Sequence, residues 1–250
     1  MPAAKLRFMA LASDTCRLAA IAVRRSVPVL LLPFILEVLL QLAASNLPEG
    51  TRPYSSANLM LVAEGIIVQW MMLLVVARAC LGGRMGLDLL RPDRPALRLL
   101  GLLAAYTLIT IALPGVIPIP SGVLSRGLLV ALTAVCALLL CRAMLLLATA
   151  WALGGSMTPA ASWQGLRGNF LRMWFFAMVW IVLAGMVLSA IAYSLHAAFG
   201  YSRMFGITGW GLLGGFFDVM STAYACAVYR QLVIGPAPVA AATGLDAVAA

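Results

Sequence analysis

Residues 24–46 read RRSVPVLLLPFILEVLLQLAASN: two arginines, then an apolar run over 27–46 broken by one charge, Glu37. At 1.5 Å of rise per residue, a helix of about 20 residues covers the ~30 Å hydrocarbon layer of a bilayer. The run therefore predicts a membrane span. Five further runs of similar length follow at 57–77, 97–114, 123–144, 172–196 and 206–229. None alternates polar and apolar residues as a membrane strand would, which excludes a barrel.

The predicted fold is all-α: a polytopic membrane protein with six transmembrane helices and an N-terminal amphipathic interfacial helix. Composition agrees, since 64% of the 250 residues are hydrophobic and only 10% are charged, whereas soluble domains carry about 25% charge. The organisation expected is a cytoplasmic amphipathic segment at 1–26, a six-helix transmembrane domain at 27–234 and a disordered cytoplasmic tail at 235–250. Lys5, Arg7, Asp14, Arg17, Arg24 and Arg25 interrupt the first segment and leave no clean apolar core for a removable signal peptide. The first span must then direct insertion.

The formal charge of +9 would suggest nucleic acid in a soluble protein, but here the basic residues flank apolar runs. No nucleic-acid partner is expected. Fourteen of the lysines and arginines fall before span one, between spans two and three, between spans four and five, or after span six; Arg52, Arg126 and Arg203 fall on the opposite side. That asymmetry predicts a bacterial inner-membrane protein with both termini cytoplasmic and with 47–56, 114–122 and 197–205 facing the periplasm.

The cytoplasmic elements carry more local signals than the outer loops. Residues 7–25 place Phe8, Ala12, Ala19 and Val23 on one helical face and Arg7, Asp14, Arg17, Arg24 and Arg25 on the other, with Leu11 and Leu18 off the stripe. Thr158 before Pro159 predicts an N-cap with proline at the first helical position, Gly168 a stop, and Trp163 a residue at headgroup depth. The apolar stretch Met144 to Leu153 extends span four along or beyond the interface. Pro114 to Pro120 reads as a stiff outer hairpin dipping into the interface. Gly82-Gly83-Arg84-Met85 and Gly154-Gly155-Ser156-Met157 mark two basic hairpins, either an internal repeat or a chance match in a glycine-rich chain.

Three carboxylates, Glu37, Glu64 and Asp218, fall within spans, with Gln41, Gln69, Ser221 and Thr222 near them. An ionised acid in hydrocarbon is costly, so these side chains should face the bundle interior. They form a candidate polar cluster or pathway: a structural hydrogen-bond group of protonated acids, a proton or cation route, or a polar substrate cavity. Arg24, Arg25, Arg142, Arg167 and Arg172 are candidate lipid-headgroup contacts on the basic side. Gly211 with Gly215, and Gly185 with Ser189, have the small-xxx-small spacing of packed helices.

Catalytic patterns are missing from the sequence. His196 has no nucleophile elbow or zinc pair to serve, and Gly215-Phe-Phe-Asp218 only superficially resembles the motif of intramembrane aspartyl proteases. Cys16, Cys80, Cys136, Cys141 and Cys226 include no C-x-x-C pair, so neither disulfide nor metal is expected. No cofactor is expected either.

The segment Ser162-Trp-Gln-Gly-Leu-Arg-Gly-Asn-Phe-Leu-Arg-Met-Trp174 resembles the Ser-Trp-x-Leu-x-x-Gly-Asn-Phe-x-Arg signature of bacterial six-span inner-membrane proteins. These include the YciC-like group and the membrane domain of some glycerophosphoryl diester phosphodiesterases. Ala225-Cys-Ala-Val-Tyr-Arg-Gln-Leu232 is similar to the same group's terminal Val-x-Tyr-Arg-x-Leu. One departure is Gln164-Gly165, which should weaken the short helix there. The resemblance implies six spans and no agreed activity. The expected function is that of a non-enzymatic multi-pass protein that organises or assists a membrane partner or lipid, anionic lipid included. The alternative is a transporter or channel whose path is lined by the intramembrane carboxylates.

Overall fold

The computed structural model describes residues 6–46, 56–84, 86–116, 139, 142–199 and 203–235. It is all-helical, with no strand among the described residues. The helices are α1 (Phe8–Ser45), α2 (Ser56–Cys80), α3 (Arg94–Val116), α4 (Arg142–Ala152), α5 (Pro159–Gly165), α6 (Phe170–Phe199) and α7 (Arg203–Tyr229). A 3-10 turn, Gly86–Leu90, precedes α3, and a π-helical turn, Arg230–Ile234, follows α7. Two stretches, Phe8–Leu40 and Val62–Cys80, are long and apolar enough to cross a membrane by length and composition. Most of the fourth run, the Pro118 and Pro120 end of the outer hairpin and the tail after Gly235 lie outside the described residues.

Helices α1, α2 and α7 pack together and carry most of the core. Their contact faces are small or branched: Leu18, Ala19, Ala22, Val29 and Leu30 on α1 meet buried Leu74, Val75 and Ala79 on α2 and Val219, Ala223, Cys226 and Ala227 on α7. Small residues let helices approach closely, so backbone packing takes the place of large side chains.

The boundary expected between residues 26 and 27 appears as a kink inside one long helix. Ser26 has φ −132 and ψ 17, while Pro28 and Pro33 lie just beyond it. Pro28 has no N–H to bond residue 24, and its ring crowds that carbonyl. Ser26 Oγ instead donates to the Ala22 carbonyl. The bend separates an N-terminal half, 8–25, from the apolar run.

That half packs against protein through more than the apolar stripe. Leu11, Thr15, Leu18, Ala19 and Ala22 are buried, whereas Phe8 and Val23 are exposed. Leu11 and Leu18, which fell off the apolar stripe, lie on the face packed against protein. Phe8, Met9 and Val23 form a second, outward apolar surface. A helix with two apolar faces blurs any single stripe.

The stretch from Met144 onward is corrected. In α4, Leu146, Leu147, Ala148, Thr149, Ala150 and Ala152 are buried. It is a core helix, not a peripheral one. Helix α5 forms as expected: Thr158 Oγ1 accepts the Ala161 N–H at 3.2 Å and Pro159 opens the first turn, while Gly168 follows with φ +80. Gln164-Gly165 does not prevent the helix. A Cβ at Gly165 would lie 3.0 Å from Leu146 Cδ1, so the glycine seats α5 on α4.

The two basic hairpins share an order of elements. Each has a helix stopped by a glycine at positive φ (Gly83 or Gly154), a short helical turn, an Asx residue (Asp93 or Asn169), then a long helix. The positive-φ glycine is the second of its pair in the first hairpin and the first of its pair in the other, so the shared order of elements does not keep the register of the four-residue match.

Candidate functional site

The end of the bundle that bears the basic hairpins is held by buried polar contacts, and its centre is Arg78, one of the flanking charges that set the orientation in the sequence. Arg78, near the end of α2, is fully buried. Its Nε donates to the Ala152 carbonyl at 2.8 Å, and Nη1 donates to the Leu89 and Arg91 carbonyls at 3.0 and 2.7 Å. Nη2 donates to Asp93 Oδ2 at 2.8 Å. Asp93 also caps α3 by accepting the Ala96 N–H through Oδ1 at 2.9 Å, and Arg84 lies 3.8 Å from its other oxygen. One guanidinium therefore joins α2, the 3-10 turn, α3 and α4. A buried charge is tolerated where its hydrogen bonds are this fully met.

Around this clamp, the two segments that carry the family resemblance converge on the N-terminal half of α1. Asn169 Oδ1 accepts the Leu6 N–H at 3.0 Å. Asp14 accepts from Gln231 Nε2 at 3.2 Å and pairs with Arg230 at 3.7 Å. Tyr224 Oη donates to the Met173 carbonyl at 2.7 Å, and its ring stacks on Phe176, which meets Phe8 edge-on. Ser162, Leu166, Asn169 and Met173 are all buried. Both segments thus work as joints to the first helix.

The candidate lipid-contact arginines divide. Arg24, Arg167 and Arg172 are exposed. Arg25 Nη1 instead donates to the Ala79 carbonyl at 3.3 Å, satisfying an acceptor at the end of α2. The Arg142 guanidinium lies 4.1 Å from the centre of the Trp163 ring and 5.3 Å from that of Phe170, a cation–π arrangement that ties α4 to α5 and α6. Both arginines make contacts within the protein.

Of the polar residues within the apolar runs, the fold brings Glu37 and Asp218 near each other. Both are half-buried, and Glu37 is near enough for its charge to act on Asp218. A Cβ at Gly214 would come within 3.5 Å of Glu37 Oε1, so the missing side chain there makes room for the acid. Thr222 is buried and Ser221 half-buried. Glu64 and Gln69, expected to face the interior, are exposed. Glu64 borders an apolar groove of about 330 Å3 with Leu36, Leu39, Leu40, Ala43, Ile67 and Val68. The Gln41 side chain lies outside the described residues.

Gly215 packs where small residues were expected to: a Cβ there would lie 2.7 Å from the Phe34 ring of α1. Gly211 lies outside the described side chains. Gly185 and Ser189 mark no contact with the described helices; both are exposed, and a Cβ at Gly185 would meet nothing within 4 Å. The Cys80 thiol donates to the Leu18 carbonyl at 3.1 Å. Among the described residues, no cluster of three or more His, Cys, Asp or Glu side chains is placed to hold a metal. No family model, no curated protein and no solved structure matches this chain.

Proposed function

We propose that the protein is a six-span inner-membrane protein, with both termini cytoplasmic, that organises or assists a membrane partner or lipid and is not an enzyme. Kinship with the YciC-like six-span group is part of this reading and rests on the two segments quoted above. The observation that carries it is the order of the basic end. Arg78, Asp93, Asn169 and Asp14 fix hairpins, first helix and last helix into one surface, from which Arg24, Arg167 and Arg172 project. A preorganised surface of this kind suits docking, because little side-chain or loop ordering remains to be lost on association.

Exposed apolar side chains support the membrane setting. Leu171, Phe175, Met178, Val182 and Met186 run along α6 at helical spacing, and Val27, Leu31, Ile35 and Leu39 do so along α1. Apolar surface of this extent is rare on monomeric soluble proteins. Single cysteines at Thr51 and Ser202, in a chain whose own cysteines are replaced by serine or alanine, test the topology. Both should react with an impermeant maleimide added from the periplasmic side of intact inner membranes. Reaction only after those membranes are disrupted would refute it.

The juxtaposition of Glu37 and Asp218 favours a second reading, transport along a carboxylate-lined path. Glu37→Gln and Asp218→Asn separate the two. If the pair is a structural hydrogen-bond group, each variant keeps the fold and the association with the partner or lipid. If it moves protons or cations, each variant folds but loses proton or cation flux in proteoliposomes made from the wild-type protein's own lipids.

A further inference from the structure

At the junction of the N-terminal helix with α6, Leu6, Phe8, Leu11, Phe175 and Phe176 line a pocket of about 310 Å3 with Arg172 at its edge. Its floor is buried and fixed: Leu6, Leu11 and Phe176 are under 7% exposed, Leu6 is anchored through its N–H to Asn169, and Phe176 is wedged between Phe8 and Tyr224. Its outer wall is open, since Phe175 and Phe8 are 65% and 46% exposed. Among the described residues, no carboxylate pairs with Arg172. Arg7, between two lining residues, is likewise exposed.

An aromatic and aliphatic pocket with an unneutralised guanidinium at one side is complementary to an amphiphile carrying an anionic head. We infer that this pocket holds the acyl chain of one anionic phospholipid, with the lipid phosphate on Arg172. The inference deepens the proposed function and rests on it, because α6 must enter the bilayer just beyond Arg172 for a lipid to reach the pocket from the side. A guanidinium binds phosphate through paired, charge-assisted hydrogen bonds. The aromatic walls give the chain a rigid apolar seat.

The test uses the full chain in phosphatidylcholine nanodiscs doped with phosphatidylglycerol bearing a photoreactive acyl chain. Crosslinks should map to peptides containing Phe8, Phe175 or Phe176, and unlabelled phosphatidylglycerol should compete. Phosphatidylcholine and soluble glycerol phosphate should not. Losing one charged hydrogen-bonding partner, Arg172→Gln should reduce labelling roughly tenfold, while Arg98→Gln, an exposed arginine elsewhere, should leave it unchanged. Phe175→Ala should reduce labelling with the head-group preference intact.

Equal labelling by a phosphatidylcholine probe, or equal effects of the two arginine variants, would overturn the inference. Competition by glycerol phosphate would assign the site to a free phosphate ester instead. Disulfide formation between two Phe175→Cys copies of a chain whose own cysteines are replaced, with loss of lipid labelling, would assign it to a dimer contact. Failure of the cysteine-accessibility test is a separate result: it would refute the topology, whereas correct topology without these crosslinks would refute the lipid site alone.

Discussion

Arg78→Met should cost about 3–5 kcal/mol of stability, the range expected when one partner of a buried ion pair is removed. Methionine fills much of the space but leaves the Ala152, Leu89 and Arg91 carbonyls and the Asp93 carboxylate without their donor. Asp93→Ala should be damaging for the complementary reason, because it leaves the guanidinium buried without its counter-charge and removes the cap from α3. Asp93→Asn should be milder, since asparagine still caps. Thermal unfolding in detergent, followed by circular dichroism, measures the loss, and hydrogen exchange at Ala96 reports the cap directly. A loss below about 1 kcal/mol for Arg78→Met, the worth of an exposed pair, would mean that the clamp is not closed in the folded protein.

Gly215→Leu should lower the folded yield sharply. Even a Cβ at this position falls 2.7 Å from two carbons of the Phe34 ring, so leucine must push α7 away from α1. Overpacking of this kind costs about 1–3 kcal/mol. Phe34→Ala in the same chain should recover much of the loss by vacating the space. Gly185→Leu, at an open position, should be nearly neutral. Equal losses for both glycine variants, or no rescue by Phe34→Ala, would separate the effect from the α1–α7 contact.

What could be read in the sequence was local. Arg24-Arg25 before the apolar run put a boundary beside the break that appears at Ser26, Thr158-Pro159 marks the start of α5, and the small residues near 215 mark a close helix contact. Each of those signals sits within a few residues of the structure it specifies. The Arg78 clamp has no such signal, because its acceptors are carbonyls from three segments up to 74 residues away. A buried arginine bonded mainly to backbone looks like any flanking charge in sequence. Leu11 and Leu18 blur the stripe because the first helix covers protein on one side while leaving an apolar surface on another. Glu37 and Asp218 share a region because α1 and α7 pack together with room left at Gly214; the cost of an acid in hydrocarbon, which should also turn Glu64 inward, does not say which neighbour a helix face meets, and Glu64 faces outward.

The joints on the first helix also constrain biosynthesis. Leu6 is bonded to a residue 163 positions later, and Asp14 to one 217 positions later. At about 5–20 residues per second of translation, those partners emerge from the ribosome roughly 10–40 s after the segment that needs them. During that interval α1 lacks the α7 face it finally packs against, and its buried residues and the outward Phe8, Met9 and Val23 are apolar surface without that partner. Assembly then ends where it began: the last helix closes over the first, so a ribosome stalled before α7 leaves a chain unsealed at its basic end.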